Sequence, residues 1–477
     1  MRADTTSVGA QRRAPTRRRR WTILAICALA LFLVGLDTTI VTVGLPQIGE
    51  GLGVEANRLA WVVDAYTLPF ASLLITSGAL ADRYGRRRVF QSGLVVFGLA
   101  SLMGAAAPSL EVLIAARAVQ GVGASMLTPV ALSIVVNAMP DPRERARAIG
   151  VWGAVFGLSM AAGPIAGGAL IAVFDWRAVF WSSAPVVAAA LLLTAWLVPE
   201  SRSAVPRRLD LPGQLLLTVS LAAGVGILIE GPHLGWSAPP MAIAYVVLLA
   251  AVVGLGIVES RRAVPLVEPA LFRVVSFTAA ILGAIVVFVA FSTTLLLTTT
   301  LLQQEGWSPL AAGAATLPMA AAATACAPLS GHLVSRVGAR PLLLIAGGCL
   351  IVGGALLTSL VADTRLPLLF AAYGAIGAGI GFANAPITNT AIDGLPPDRA
   401  GVASAMASTA RQVGTAVGIA LAGSLIASAR DSGGLTGSLL PGWAWVAACG
   451  VGVLLCALAA PSERAPRPGP SGRSGAE

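Results

Sequence analysis

The chain contains no lysine: all 32 of its basic residues are arginine, set against 22 acidic residues and two histidines in 477. Charged residues make up 11% of it, where a soluble domain carries about a quarter. So little charge excludes a solvated single-core protein. A hydrophobic content of 56% and a mean hydropathy of +0.82 leave more apolar surface than one globular core can hide, which places the chain in a membrane. The five cysteines (Cys27, Cys326, Cys349, Cys449, Cys456) form neither a metal-ligand spacing nor a disulfide framework, and read as small packing residues. His233 and His332 suggest no metal and no catalytic base. A phosphate-binding glycine loop is missing, and so is a hydrophilic segment long enough for a catalytic domain. Nucleotide-driven transport and a membrane enzyme are therefore not expected.

What is present is apolar and long. Stretches at about 22 to 45, 59 to 80, 89 to 107, 110 to 138, 147 to 172, 178 to 198, 211 to 230, 239 to 258, 275 to 301, 309 to 333, 340 to 361, 366 to 392, 401 to 427 and 441 to 460 follow one another with short loops. Each is long enough for a helix across ~30 Å of hydrocarbon at about 1.5 Å per residue. Barrel strands would be about half as long and would alternate. The first stretch is too long, and ends too far from a small-residue cleavage pattern, to be a signal peptide. The expectation is an all-α membrane protein of fourteen spans.

The arginines give the orientation. Twenty-six of the 32 fall on one side, in the N-terminal tail, alternate loops and the last tail; four (Arg58, Arg177, Arg365, Arg430) fall on the other, and Arg117 and Arg411 lie inside spans. By the positive-inside rule both termini are expected in the cytoplasm. The net charge of +10 is thus a topology signal, not a nucleic-acid one, although Arg17 to Arg20 also suit anionic lipid. Trp21, Trp61, Trp176, Trp181, Trp196, Trp236, Trp307 and Trp443 fall at span ends, as interfacial tryptophans do.

The chain repeats itself. Gly78-x-Leu80-x-Asp82-Arg83-x-Gly85-x-Arg87 after span two is echoed by Gly331-x-Leu333-x-Ser335-Arg336-x-Gly338-x-Arg340 after span ten, 253 residues later. Ala115-Ala116-Arg117 with Gly121 and Gly123 is echoed 256 residues later by Ala371-Ala372-Tyr373 with Gly377 and Gly379. Arg145-Ala146 and Arg399-Ala400 repeat the interval at 254. These echoes imply two six-span halves in the same orientation with two spans inserted between them. The layout is a tail over 1 to 21, one half over 22 to 198, the insertion over 199 to 274, the second half over 275 to 460, and a disordered tail over 461 to 477.

Parallel halves with Gly78-Ala-Leu-Ala-Asp82-Arg83-Tyr-Gly85-Arg86-Arg87 between spans two and three resemble the major facilitator superfamily. Leu36-Asp37-Thr38-Thr39-Ile40-Val41 ending in Leu45-Pro46, and Gly163-Pro164-Ile-Ala-Gly167-Gly168, look like its fourteen-span drug and proton antiporter branch, the multidrug and antibiotic-resistance exporters of actinobacteria among them. The resemblance covers about residues 22 to 460. It implies that Asp82, among Arg83, Arg86 and Arg87, docks on the positive N-terminal end of span thirteen near Ala400 to Val402 and gates the cytoplasmic side. Ser335 stands for Asp in the second half, where the latch is expected to be weaker or absent. It further implies that the Gly-Pro element marks an exporter: Pro164 kinks span five, and the glycines bring helix backbones close.

The residues themselves point to a polar site in the first half. An arginine as deep as Arg117 costs ~2.5 to 3.5 kcal/mol on insertion scales and needs a partner. Helical rise places Arg117 and Asp37 roughly 10 Å, and Asp64 roughly 7 Å, inside the outer surface. Asp37, Asp64 and Arg117 are expected to surround one site in which proton and substrate compete, since low dielectric favours a neutral carboxyl and a guanidinium favours the charged one. The second half has no acidic residue deep in a span; Glu230 and Asp393 lie at span ends, facing water. Thr298 to Thr300, Gln303, Gln304, Asn384, Asn389, Arg411 and Gln412 are its candidates for lining a cavity.

The expected function is drug export across the cytoplasmic membrane by alternating access. The proton motive force drives it with no cofactor, and one chain suffices, with lipid around it and a lipophilic small molecule as cargo, cations being favoured by the aspartates. The nearest rival on the same fold is a proton symporter or facilitator for a small metabolite, against which the Gly163-Pro164 element argues. Spans seven and eight are expected to face lipid.

Overall fold

A chain crossing hydrocarbon must satisfy its backbone hydrogen bonds internally, and helices do this segment by segment. The computed structural model describes residues 16–54, 56–203, 209–262, 265, 269–359, 366–392, 400–431 and 435–459, and these contain no strand. The first half comprises α1 (Arg17–Leu52), α2 (Ala56–Tyr84), α3 (Arg86–Ala105), α4 (Leu110–Ala138), α5 (Pro142–Val173) and the consecutive α6 (Ala178–Trp181) and α7 (Ser183–Leu197), which form span six. The insertion is α8 (Leu211–Leu234) and α9 (Pro239–Arg261). The second half comprises α10 (Val275–Gln304), the consecutive α11 (Pro309–Ala315) and α12 (Leu317–Val337), which form span ten, then α13 (Ala339–Thr358), α14 (Leu366–Ile392), α15 (Ala400–Asp431) and α16 (Leu435–Ala459). Thirteen of these segments are long and apolar enough to cross a membrane; α5, 32 residues long, makes the fourteenth. Helix ends outrun the apolar stretches: α1 begins five residues before its stretch and ends seven after it.

The sequence echoes are echoes of packing. Gly121 of α4 lies on the Tyr66 backbone of α2, and Gly377 of α14 on the Met319 backbone of α12, so close that neither position has room for a Cβ. Gly123 rests on Phe97 of α3 as Gly379 rests on Leu350 of α13. Every one of these pairs is shifted by 253 or 256 residues, so each half packs its helices by one scheme. Gly85 and Gly338 close the matching turns after α2 and α12 at φ of +110° and +82°, a region an L side chain rarely enters.

The two halves meet through α2 against α15, α5 against α11 and α12, and α1 against α10. Gly423 of α15 faces Ala60 at the start of α2, with 3.1 Å between the Ala60 Cβ and the place a Gly423 Cβ would take. Gln47 donates to Gln303 at 2.8 Å, and Gln303 to the Val43 carbonyl at 3.0 Å. Gly168 abuts Pro309 and Leu310, and Gly313 abuts Pro164. All of these lie at the arginine-poor ends of their helices, so the molecule is shut on that side. Nearer mid-span, Thr409 donates to the Ala71 carbonyl at 3.2 Å.

The inserted spans differ from each other. In the apolar window of α9, 11% of residues are buried, against 83% for α10, so α9 lies on the outside of the helix bundle. The α8 helix does not: it lies against both α2 and α15. Thr76 of α2 donates to Gln214, the Trp61 indole donates to Glu230 at 2.8 Å, and Ser424 of α15 donates to the Leu228 carbonyl at 2.6 Å. Glu230 is therefore half-buried and bonded rather than facing water, and Trp61 belongs to a helix contact rather than to an interfacial belt. Trp443 is likewise inside, 1% exposed. Asp393 and most of both tails lie outside the described residues.

Candidate functional site

Four helices build the charged site. The face of α4 carrying Arg117 and Gln120, one turn apart, lies against α1 and α2, the near approach to α2 resting on Gly121. Arg117, fully buried, donates from Nη1 to Asp37 Oδ2 at 2.6 Å and to Gln120 Oε1 at 2.7 Å, and from Nε to the Val62 carbonyl at 2.9 Å. Its guanidinium lies 4.3 Å from the Tyr66 ring centroid, a cation–π contact. Gln120 turns its amide nitrogen to Asp37 Oδ1 at 2.9 Å and to Ser101 Oγ of α3 at 2.9 Å. Each oxygen of Asp37 thus has one donor, and the two charges neutralise each other where neither meets water. The two residues are brought together; sequence reasoning missed Gln120, Ser101 and Tyr66, of which Gln120 was signalled by its one-turn spacing from Arg117.

Asp64 is placed elsewhere. It is 0% exposed, its Oδ1 accepts from Thr67 Oγ1 at 3.2 Å, and its Oδ2 has no hydrogen-bond partner. Among the described residues no hydrogen bond or ion pair joins it to Asp37 or Arg117. Ala60, Asp64, Thr67 and Ala71 recur at the spacing that lines one helical face. Ala60 touches Gly423 and Ala71 accepts from Thr409, so that face is the one applied to α15. Asp64 therefore lies in the seam between the halves, not in the Arg117 cluster.

The loop after α2 is tied within its own half. Asp82 accepts from Arg86 at 3.0 Å, one turn on. The side chains at 400 to 402, its expected partners, lie outside the described residues, as does that of Ser335. Glu200, past the end of α7, accepts from the Arg87 and Ser201 backbone amides at 3.1 and 3.0 Å and sits 3.9 Å from Arg88. Its carboxylate occupies the space a Cβ on Gly85 would take. Arg87 donates from Nη2 to the Ala195 carbonyl at 2.6 Å, and the Arg86 amide to the Ser201 carbonyl at 2.9 Å. Arg83 is exposed, 5.5 Å from the Tyr84 ring centroid, and Gly78 has nothing within 4 Å of its place for a Cβ. Glu200 was not singled out from the sequence, where it is one acid among loop arginines.

The Gly-Pro element of α5 joins two surfaces. Gly163 and Gly167 lie on the α1 backbone at Leu36 to Ile40, beside Asp37, and Thr39 Oγ1 donates back to the Met160 carbonyl at 3.2 Å. Gly168 and the Pro164 carbonyl form the contact with α11 of the other half. Any side chain at these glycines would separate α5 from α1 or one half from the other. Among the described residues no group of histidine, cysteine, aspartate and glutamate has the arrangement of a metal site.

Comparison with known proteins agrees with this architecture. The family model described as Major Facilitator Superfamily matches residues 27–419. Multidrug resistance protein Stp of Mycobacterium tuberculosis is 38% identical over 409 residues, covering 85% of this chain and 75% of that protein. Methylenomycin A resistance protein of Streptomyces coelicolor is 36% identical, covering 85% of each chain, and Puromycin resistance protein pur8 of Streptomyces alboniger is 39% identical, covering 84% of this chain and 81% of the other. A solved bacterial homologue of the human lysosomal transporter Spinster superposes with a TM-score of 0.65 at 18% identity, over 94% of this chain and 98% of that one. The chain is a multi-pass membrane protein belonging to the major facilitator superfamily.

Proposed function

We propose that this protein exports lipophilic small molecules, antibiotics among them, in exchange for protons. It works as a monomer in the cytoplasmic membrane, with both termini and the arginine-rich loops in the cytoplasm. On that orientation the closed seam is the outer gate. The observation that carries the coupling is Asp64: a carboxyl wholly buried, with one oxygen unbonded, on the α2 face that α15 covers. Opening the outer gate separates α2 from α15 and bares Asp64 to the outside. Burying an unpaired charge is costly, so a carboxylate that re-enters the closed seam takes a proton with it. Asp37 is the fixed member, held by Arg117 and Gln120, and keeps α1 and α4 in register beside the Gly-Pro element of α5. The names of the relatives supply the cargo: multidrug, methylenomycin A and puromycin resistance.

Asp82, paired with Arg86 at the start of α3, is the cytoplasmic gating residue of this reading. No bound cofactor enters the cycle. The test is ethidium uptake into inverted vesicles under an imposed pH gradient. Accumulation that a protonophore abolishes is expected, and uptake into intact cells instead would favour a symporter.

A further inference from the structure

Two arginines lie inside the spans, and the fold treats them differently. Arg117 has an aspartate, an amide and a carbonyl on its nitrogens. Arg411 lies eleven residues into α15, about 16 Å along it by helical rise and inside the apolar window Ala405–Ser428. Its Nη2 donates to Ser408 Oγ at 2.8 Å, but its Nη1 is buried with no hydrogen-bond partner, and none of the ion pairs among the described residues includes it. A guanidinium keeps its charge in a protein, and an ionisable group within a span marks a functional site whose partner must be found.

The direction of Arg411 follows from its helix. On α15, Gly414 and Gly418 lie on the α10 backbone, and a Cβ at Gly418 would stand 2.6 Å from the Val289 carbonyl. Thr409 and Gly423 lie on α2. At about 100° per residue, Ser408, Arg411, Gln412 and Thr415 fall in the sector between these two faces, where α15 borders the space between the halves. Gln412 is 9% exposed and its Oε1 has no partner either. One donor and one acceptor, on adjacent residues of one sector, are therefore left unbonded.

We propose that Arg411 and Gln412 form a subsite for oxygen-bearing cargo. Arg411 Nη1 donates to a carboxylate, phenolate or carbonyl oxygen of the transported molecule, and the Gln412 amide oxygen accepts from a neighbouring hydroxyl or N–H. This rests on the export reading and narrows its substrate class, favouring lipophilic acids and carbonyl-rich compounds over bare lipophilic cations. Arg117 also leaves one nitrogen, Nη2, unbonded, but its charge is met by the Asp37 carboxylate, whereas no carboxylate among the described residues meets that of Arg411.

The test uses the full-length protein in an efflux-deficient host, with Arg411→Gln, Arg411→Lys and Gln412→Leu. The probes are ethidium, which has no oxygen acceptor, and nalidixic acid, chloramphenicol and tetracycline, which have several. Arg411→Gln is expected to lower export of the oxygen-bearing probes that the unaltered protein moves by about tenfold, with ethidium export within about twofold. Ethidium export then also reports that the variant is folded. Arg411→Lys is expected to recover the acid best, since it keeps the charge and loses the planar fork. Gln412→Leu is expected to weaken the same probes and spare ethidium. Equal loss for all four probes, loss for none, or an unaltered protein that moves ethidium and no oxygen-bearing probe would each overturn the subsite while leaving export standing. An unaltered protein that moves none of the four overturns the export reading as well.

Discussion

Neutralising Asp37 and Arg117 one at a time and then together tests the reasoning most sharply at the level of energy. The Arg117 side chain is 0% exposed and that of Asp37 6%, with 2.6 Å between the charged atoms. Removing one member of such a pair leaves a charge without its counter-ion and costs about 3–5 kcal/mol. Arg117→Met deletes the bonds to Asp37, Gln120 and Val62 together with the contact over Tyr66, and leaves Asp37 only the Gln120 amide. Asp37→Asn leaves Arg117 with neutral acceptors alone: the new amide oxygen, Gln120 Oε1 and the Val62 carbonyl. Gln120 already serves both partners, so it cannot compensate for either loss. The double variant holds no unpaired charge, and its penalty is expected to fall short of the summed single penalties by about 2–3 kcal/mol, or about 30- to 150-fold in the unfolding equilibrium. Titration of purified protein from mild detergent into SDS, followed by tryptophan fluorescence, gives the four stabilities. Penalties that add to within about 0.5 kcal/mol would refute the pair as the organising contact of the site.

Other consequences concern the seam and the insertion. In a cysteine-free background, Ala60→Cys with Gly423→Cys places two Cβ atoms slightly closer than the ~3.8 Å typical of a disulfide. Oxidation is expected to cross-link them and stop ethidium export, with recovery on reduction; export by the cross-linked protein would show that α2 and α15 do not part there. Gly168→Leu drives a side chain into Pro309 and Leu310, and is expected to cut export about tenfold or more at unchanged membrane levels, because the outer gate no longer closes. Trp61→Phe removes a hydrogen bond to the half-buried Glu230 carboxyl and is expected to cost about 1–3 kcal/mol in the same SDS titration. An unchanged midpoint would show that α8 is not braced there. Glu200→Ala frees the turn at Gly85, and faster backbone hydrogen exchange at Arg87 and Ser201 is the expected readout.

Much of the fold was legible because hydrocarbon imposes a simple rule: a crossing must be apolar and about twenty residues long, and a charge inside it needs a reason. The fourteen stretches and the need of Arg117 for a partner follow from that rule, and the repeat at 253 to 256 residues from motif residues that recur in both halves. Its silences are equally instructive. Gln120 and Ser101 carry no charge, so their burial leaves no mark on hydropathy, yet they complete the site. Asp64 was expected beside Arg117 because counting residues gives only a depth, while facing α15 depends on how the two halves meet. Trp61 and Glu230 each look solvated at a span end; only the docking of α8 on α2, a contact across 169 residues, pairs them. Glu200 was hidden for the same reason, its link to the Gly85 turn spanning more than a hundred residues.

The central claim is that Asp64 exchanges the coupling proton as the seam between α2 and α15 opens and closes. It is tested most directly by recording the pH of a weakly buffered solution of purified, detergent-solubilised protein as ethidium is added. Release of protons by the unaltered protein, and none by Asp64→Asn while ethidium still binds, is the predicted result. Equal release from the two proteins would contradict it.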